Sequence, residues 1–381
     1  MRIAIIGAGP AGSYFGYNCA SQNIDTTIFH EAGKGEKPCG GGITFKAFEE
    51  FDILREIKGN AKKITSVRVI SPSGKEAALG LDEPMHIFSR TEFDSFLRRR
   101  AGEAGARAIQ EKVIEYIEDA HGWVIRTVSG SYGPFDFLTG ADGAAGSTRK
   151  KLAQPFQSKD LTQTAGYSIQ NATAEAMTLK FYDDMEGYAW SFPRKETISV
   201  GIGTPLGRKK PPELLDKLND FIERYLPSFK KNEMTIFSAL IPAINPDEEN
   251  LRQISGKNWA LIGDACGITD PITGEGIFYA LKTASLLGET LKRGSAEGYQ
   301  RLVKDSFGED ISWAYRNKSR FFRNDFYEAA VEACIESSDI ASVVSALLSG
   351  TLPYGNLMSR LYSIAFKVDM TLLAKLISLA R

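Results

Sequence analysis

The chain opens MRIAIIGAGPAG, and no other stretch restricts its fold so tightly. Residues 2–6 are a nearly unbroken apolar run of the kind buried on both faces of a parallel sheet. Gly7-x-Gly9-x-x-Gly12 then turns the run into a helix-forming stretch, AGSYFGYNCASQ, and a second strand, TTIFHE, ends on Glu31. Glycines at this spacing permit a tight turn, close backbone approach to a pyrophosphate and close contact between helix and strand. The helix N-terminus favours the anion, and an acidic residue ending the second strand accepts hydrogen bonds from ribose hydroxyls. An isolated glycine fingerprint is a weak signal. Strand, helix and acidic residue in register make this a dinucleotide-binding unit, with Gly7, Gly9, Pro10, Ala11, Gly12 and Glu31 as its contacts.

Two later segments have the same character. GADG at 140–143 follows a strand and presents Asp142 and Gly143. GDACGITDPITGEG at 263–276 follows the strand WALIG, and its last glycine opens a helix. An aspartate ending a buried strand beside a helix N-terminus can bind ribityl hydroxyls, while free backbone N–H groups face a ring or a phosphate. Asp264, Gly274, Gly276 and Ile277 are the candidates there.

Between these segments the pattern changes to strands. KITSVRVISPSG and KEAALGLDEPMHIF flank a turn, RTEFDSFLRRRAGEAG reads as a helix, and residues 107–140 read as a strand meander. AGYSIQ, AMTLKFY, YAWSFP and TISVGIG predict an antiparallel sheet able to wall a pocket, and TFKAFEEFDIL predicts one helix. Residues 201–207, GIGTPLG, imitate a second glycine fingerprint. Their spacing is one residue too long, and RKKPP prevents a helix from starting there. Gly201 and Gly203 are therefore expected at the edge of the pocket-forming sheet. The expected fold is α/β (α+β overall): a Rossmann-type lobe with a parallel sheet, an antiparallel-sheet substrate lobe and a helical C-terminal region. Residues 1–60, 91–160 and 241–295 form the first, 61–90 and 161–240 the second, and 296–381 the third.

Composition excludes several functions. Lys and Arg number 46 against 47 Asp and Glu, for a net charge of −1, so no basic field recruits nucleic acid. Cys19, Cys39, Cys266 and Cys334 show no CxxC spacing, and His30, His86 and His121 form no metal-binding pattern, which argues against disulfides and zinc. The first residues form a strand rather than a leader, and no apolar run reaches the roughly 18 residues of a spanning helix. A reduced, cytoplasmic protein is expected. IASVVSALL, LYSIAF and TLLAKLISLA near the end could rest part of the chain on a membrane.

With these segments in place, the chain resembles, over most of residues 1–295, the FAD-dependent enzymes of the p-hydroxybenzoate hydroxylase-like fold. The resemblance implies FAD on the glycine unit, Asp264 against its ribityl–phosphate region, the Pro271–Gly276 loop beside the isoalloxazine, and Arg90 of RTEFDSFL near the cofactor. Cys266 departs from the small residue common at its position in that class, and packing is its expected role. Two further patterns narrow the family. They are KPCGGGI at 37–43, and Tyr188-x-Trp190-x-Phe192-Pro193 followed after seven residues by Gly201-x-Gly203. Both resemble the geranylgeranyl reductases, which saturate isolated double bonds of isoprenoid chains. That resemblance implies a prenyl substrate whose tail lies along the aromatic–proline motif, with Cys39 close to the flavin.

The residue pattern agrees, because a strand alternating Tyr188, Trp190 and Phe192 presents three aromatics on one face. These rings could instead be the core of a sheet. An isolated alkene has no carbonyl to stabilise a carbanion, so hydride addition needs a proton delivered in concert. Cys39 is the one side chain of its loop with a transferable proton, and Gly40, Gly41 and Gly42 would let flavin and alkene come close. The alternatives for the thiol are a packing role and a covalent flavin–sulfur bond. Competing functions on the same scaffold are a flavin monooxygenase or halogenase acting on an aromatic substrate, and a lipid-binding flavoprotein without catalysis. The GAGPAG start and the CGGG loop argue against a halogenase, and no feature of the sequence favours the lipid-binding protein. The electron donor is open between transient NAD(P)H, ferredoxin and a deazaflavin.

Overall fold

Residues 1–31, 35–227, 234–245, 253–366 and 368–369 are described by the structure, a computed structural model. The apolar opening becomes β1 (Arg2–Ile6), buried at four of its five positions, and Pro10 starts α1 (Pro10–Ala20). Proline suits the first helical turn, where its missing N–H would have no partner anyway. Next come β2 (Asp25–Phe29), a two-residue β3 (Gly42–Ile43), α2 (Phe45–Glu50), α3 (Ile53–Ile57), β4 (Lys62–Ile70), β5 (Glu76–Ile87) and α4 (Arg90–Glu103). The single helix expected over 44–54 is broken at Phe51, whose backbone is extended and whose ring is buried. Core burial of that ring outweighs local helix propensity.

The chain continues through β6 (Arg107–Ile109), β7 (Val113–Asp119), β8 (Gly122–Thr127), β9 (Ser131–Phe135) and β10 (Phe137–Gly140) to the short helix α5 (Thr148–Leu152). Only part of 107–140 is a meander. β7, β8 and β9 form a separate three-stranded sheet, whereas β6 and β10 enter the parallel sheet beside β2 and β1. Strands of three or four residues carry no period that separates parallel from antiparallel pairing.

After α5 come β11 (Leu161–Gln170), β12 (Met177–Phe181), β13 (Tyr188–Pro193), β14 (Thr197–Pro205), α6 (Pro211–Tyr225), β15 (Met234–Pro242), β16 (Trp259–Leu261) and α7 (Ile277–Leu291). The rest is helical: α8 (Tyr299–Val303), α9 (Glu309–Phe321), α10 (Asn324–Glu336), α11 (Ser338–Ser349) and α12 (Leu357–Ser363). The parallel sheet has the order β16-β10-β1-β2-β6, and a mixed eight-stranded sheet has the order β15-β11-β14-β13-β12-β4-β5-β3. β14 is therefore interior, paired with β11 and β13, so Gly201 and Gly203 do not lie at the sheet edge as expected. The edges are β3 and β15, and β15 is a strand absent from the sequence reading. α6 covers one face of the large sheet around Ile198, Val200 and Ile202. α10 and α11 cover the other around Val67, Leu79 and Leu179, where the rings of Phe181 and Tyr327 stack 3.5 Å apart.

No helix among the described residues is long and apolar enough to cross a membrane. TLLAKLISLA lies outside the described residues.

Candidate active site

The C-terminal ends of β1, β10 and β16 open onto a cavity of about 1390 Å³, the position where open parallel sheets bind ligands. It exceeds the roughly 300–1,000 Å³ of pockets for a single small ligand, leaving room for a dinucleotide and a second molecule. The three fingerprint glycines play separate parts. Gly7 has φ +109°, and a Cβ there would stand 2.3 Å from the Ala141 oxygen; a Cβ on Gly12 would meet the Gly7 oxygen at 2.0 Å. Both are demanded by packing within the protein. A Cβ on Gly9 would meet nothing nearer than the Lys37 Nζ at 3.4 Å, so this glycine presents bare backbone to the cavity. Pro10 and Ala11 line the same turn, and Glu31 lies on the rim with Lys112 Nζ 3.8 Å away.

Asp264, Gly274, Gly276 and Ile277 line the opposing wall. Burial pushes the Asp264 carboxyl upward, against the pull of Arg90 and Lys37. Gly274 has φ +73°, in the left-handed region that favours glycine. Its loop is tied from three directions. Asp270 accepts from the Tyr354 hydroxyl at 2.9 Å, Glu275 accepts from Thr44 Oγ1 at 2.7 Å and pairs with Lys46 Nζ, and the Tyr188 hydroxyl donates to the Thr273 carbonyl. Asp142 and Gly143 also line the cavity. The Asp142 carboxylate, however, accepts from Ser147 N at 2.7 Å, Thr148 N at 2.9 Å and Thr148 Oγ1, so it holds its own loop to α5.

Cys39 lines the cavity half-buried, and its Sγ accepts a hydrogen bond from Gly41 N at 3.3 Å. The glycines after it serve protein packing. A Cβ on Gly40 would stand 2.1 Å from the Phe192 ring, one on Gly41 (φ +84°) 2.2 Å from the Phe88 oxygen, and one on Gly42 3.0 Å from the Met85 sulfur. The run therefore seats the loop against β13 and β5, a different reason from the expected approach of flavin and alkene; Gly41 and Gly42 stand behind the cavity wall.

Several residues of this corner were absent from the sequence reading. Glu36 accepts from Ser89 Oγ, Arg90 N, Thr91 N and Thr91 Oγ1 at the start of α4, and pairs with Arg194 Nη1 at 3.0 Å. Burial pushes its carboxyl up, but Arg194 and these donors outweigh burial and hold it below the usual range. Arg90 grips Asp94 with two bonds, at 2.9 and 3.1 Å. Burial works against its charge, and Asp94 and the neighbouring Cys39 side chain more than offset that. The weak signals for this corner were an arginine directly after the aromatic–proline strand and a glutamate three residues before Cys39. Their meeting is non-local.

Tyr188, Trp190 and Phe192 lie along one face of β13 with adjacent ring centroids 6.2 and 6.5 Å apart, and all three line the cavity. Thr164, Phe237, Ala239 and Ile241 of β11 and β15 extend this wall. Pro193, Gly201 and Gly203 do not line it. Gly201 faces Trp190 in register and Gly203 faces Tyr188; a Cβ on Gly201 would stand 2.2 Å from the indole, so its bareness is what admits the Trp190 ring.

Residues 160–240, which carry this aromatic wall, match the family model "Geranylgeranyl reductase catalytic domain". The chain is 30% identical over 291 residues to a geranylgeranyl diphosphate reductase of Rhodobacter capsulatus, covering 72% of this chain and 71% of that one. The chain belongs to the geranylgeranyl reductase family. As a geranylgeranyl reductase family member it is an oxidoreductase. It is also 25% identical over 88% of its length to a digeranylgeranylglycerophospholipid reductase of Methanocaldococcus jannaschii, of which it covers 91%. In fold it matches a geranylgeranyl bacteriochlorophyll reductase-like protein from Thermoplasma acidophilum, with a TM-score of 0.78, 22% identity and coverage of 95% and 98% of the two chains. A flavin-dependent brominase shares the same mixed α/β fold more distantly, with a TM-score of 0.67, 17% identity and coverage of 96% and 99%.

Proposed function

We propose that this reductase uses FAD to saturate isolated double bonds of a prenyl lipid or isoprenoid chain. One observation carries the reading: a single cavity joins the bare backbone of Gly9 to the aromatic wall of Tyr188, Trp190 and Phe192, with the Cys39 thiol among its lining residues. The cavity fits the cofactor. Gly9 and the first turn of α1 would take the pyrophosphate, Glu31 the ribose, and Asp264 with Gly274, Gly276 and Ile277 the ribityl and ring end. When reduced, FAD supplies a hydride to one carbon of the alkene.

The chain's own residues supply the rest. The aromatic wall grips the apolar tail and excludes water. Cys39 gives its proton to the other alkene carbon as the S–H bond breaks, so the double bond gains two hydrogens in all. The thiolate that remains is reprotonated from solvent, which closes the cycle. Electrons reach the cofactor from outside the chain, from NAD(P)H, ferredoxin or a deazaflavin. We place the protein in the cytoplasm, with Tyr362 and Phe366, 47% and 102% exposed, meeting the membrane that holds the substrate.

The test is an anaerobic assay of reduced, FAD-loaded protein against a panel of prenyl lipids, read by mass spectrometry. Products heavier by pairs of hydrogens support the reading. Oxygen consumption with hydroxylation or halogenation of an aromatic, and no saturation without air, overturns it in favour of a monooxygenase.

A further inference from the structure

The carbonyl oxygen of Cys39 has two lone pairs, and both are occupied from the β13–β14 hairpin. Arg194 Nη2 donates to it at 2.7 Å and Ser199 Oγ at 3.0 Å. Arg194 is buried, its side chain 3% exposed, with Nη1 paired to Glu36 and its Nε without a partner. Ser199 has a single proton, given to Cys39, so its oxygen accepts from the Trp190 indole N–H at 3.4 Å. The donor order therefore runs from the tail-gripping tryptophan through the serine to the cysteine carbonyl.

We propose that Arg194 and Ser199 are positioning residues: they lock the Cys39–Gly40 peptide so that the thiol points into the cavity, and Ser199 ties that lock to Trp190. The proposal rests on the reading of Cys39 as proton donor. Gly40 has no Cβ and, left to itself, explores a wide range of backbone conformations. Pro38 restricts the chain before the cysteine, and the two donors restrict it after. With Sγ accepting from Gly41 N, the thiol keeps its own proton free to give. A buried Arg–Glu pair is weak evidence for stability, since apolar residues often replace one without loss. Here it joins the cap of α4, from which Arg90 projects, to the carbonyl of the thiol loop. An apolar pair could not make that link.

The test uses FAD-loaded protein, steady-state kinetics on a prenyl lipid, and iodoacetamide labelling read by mass spectrometry at each cysteine, with Cys19, Cys266 and Cys334 as internal references. Ser199→Ala and Arg194→Met should retain FAD, raise Cys39 labelling severalfold against Cys334, and lower kcat about tenfold with KM little changed, the penalty of a misplaced catalytic group. Ser199→Thr, which keeps the hydroxyl, should restore both readouts. In a Cys39→Ala background, Ser199→Ala should cost nothing further, because residues acting through one group are not additive. Unchanged Cys39 labelling, or an undiminished loss in the Cys39→Ala background, overturns the proposal. Should Arg194→Met fail to fold, the Ser199 pair decides. A wild-type rate in Cys39→Ala alone defeats the proton-donor reading and is separately visible, since labelling still reports whether the carbonyl is locked.

Discussion

Cys39 is among the residues that line the cavity, and the proposed reaction assigns its thiol the proton. Cys39→Ala should keep FAD bound and reducible while slowing prenyl reduction by about 10²-fold or more, the usual size of a general-acid contribution. Flavin absorbance and single-turnover product formation check the two halves of that statement, and a wild-type rate would leave the thiol a packing residue. A second residue sets a pH dependence of stability. His86 is buried against Phe48, its ring centroid 4.6 Å away and its Nδ1 without a partner. Burial, with Lys58 and Lys63 nearby, depresses its pKa from 6.5 to about 4. Above pH 6.5 the ring is neutral in both states. As pH falls from 6.5 towards 4, the unfolded chain takes up a proton that the native state refuses, so stability is lost across that window. The melting temperature should fall there, and His86→Phe, which keeps an aromatic on Phe48, should flatten that limb.

At the scale of an element, β13 and β14 act as a pair: one supplies rings and the other supplies room. Trp190→Ala should weaken use of long prenyl chains much more than FAD content, with a loss bounded by the roughly 3–5 kcal/mol that such a truncation costs in a core. Gly201→Val should reach the same phenotype from the other strand, because its side chain would occupy the space of the indole. Chain-length profiles of kcat/KM for the two variants measure this. Equal use of short and long substrates by both, at wild-type levels, would make the rings mere sheet core. The alternation of aromatics in YAWSFP was legible in the sequence, since period two is intrinsic to a strand. The role of Gly201 was not, because the ring it admits belongs to a different strand.

For the whole molecule, cofactor and stability are linked. Gly9 has φ −75°, accessible to any residue, and open space beyond its Cα, so Gly9→Leu should fold yet lose FAD. The variant should purify colourless and melt lower than wild type, which gains about 2.7 kcal/mol when free ligand stands at a hundred times its Kd. Retained flavin would remove the pyrophosphate from this turn. The exposed Phe366 and Tyr362 predict that the full chain co-floats with anionic liposomes and that Phe366→Asp reduces the fraction floated; no flotation of the wild type ends the membrane assignment.

The sequence by itself determined the local units: the glycine turn after β1, the strand ends carrying Asp142 and Asp264, the aromatic face of β13 and the loop presenting Cys39. Each is written in a short window, through a strand or helix period or a glycine spacing, and short windows survive folding. Tertiary structure alone decided which of these residues look inward. Asp142 turned its carboxylate to its own loop, and the glycines after Cys39 answered to Phe192, Phe88 and Met85. The parallel sheet absorbed β6 and β10 out of an apparent meander. Glu36, Arg194 and Ser199 met on one loop although up to 163 positions separate them in the chain. Buried charges and carbonyls must find partners wherever the fold brings them, and no local pattern encodes a partner that arrives from another sheet.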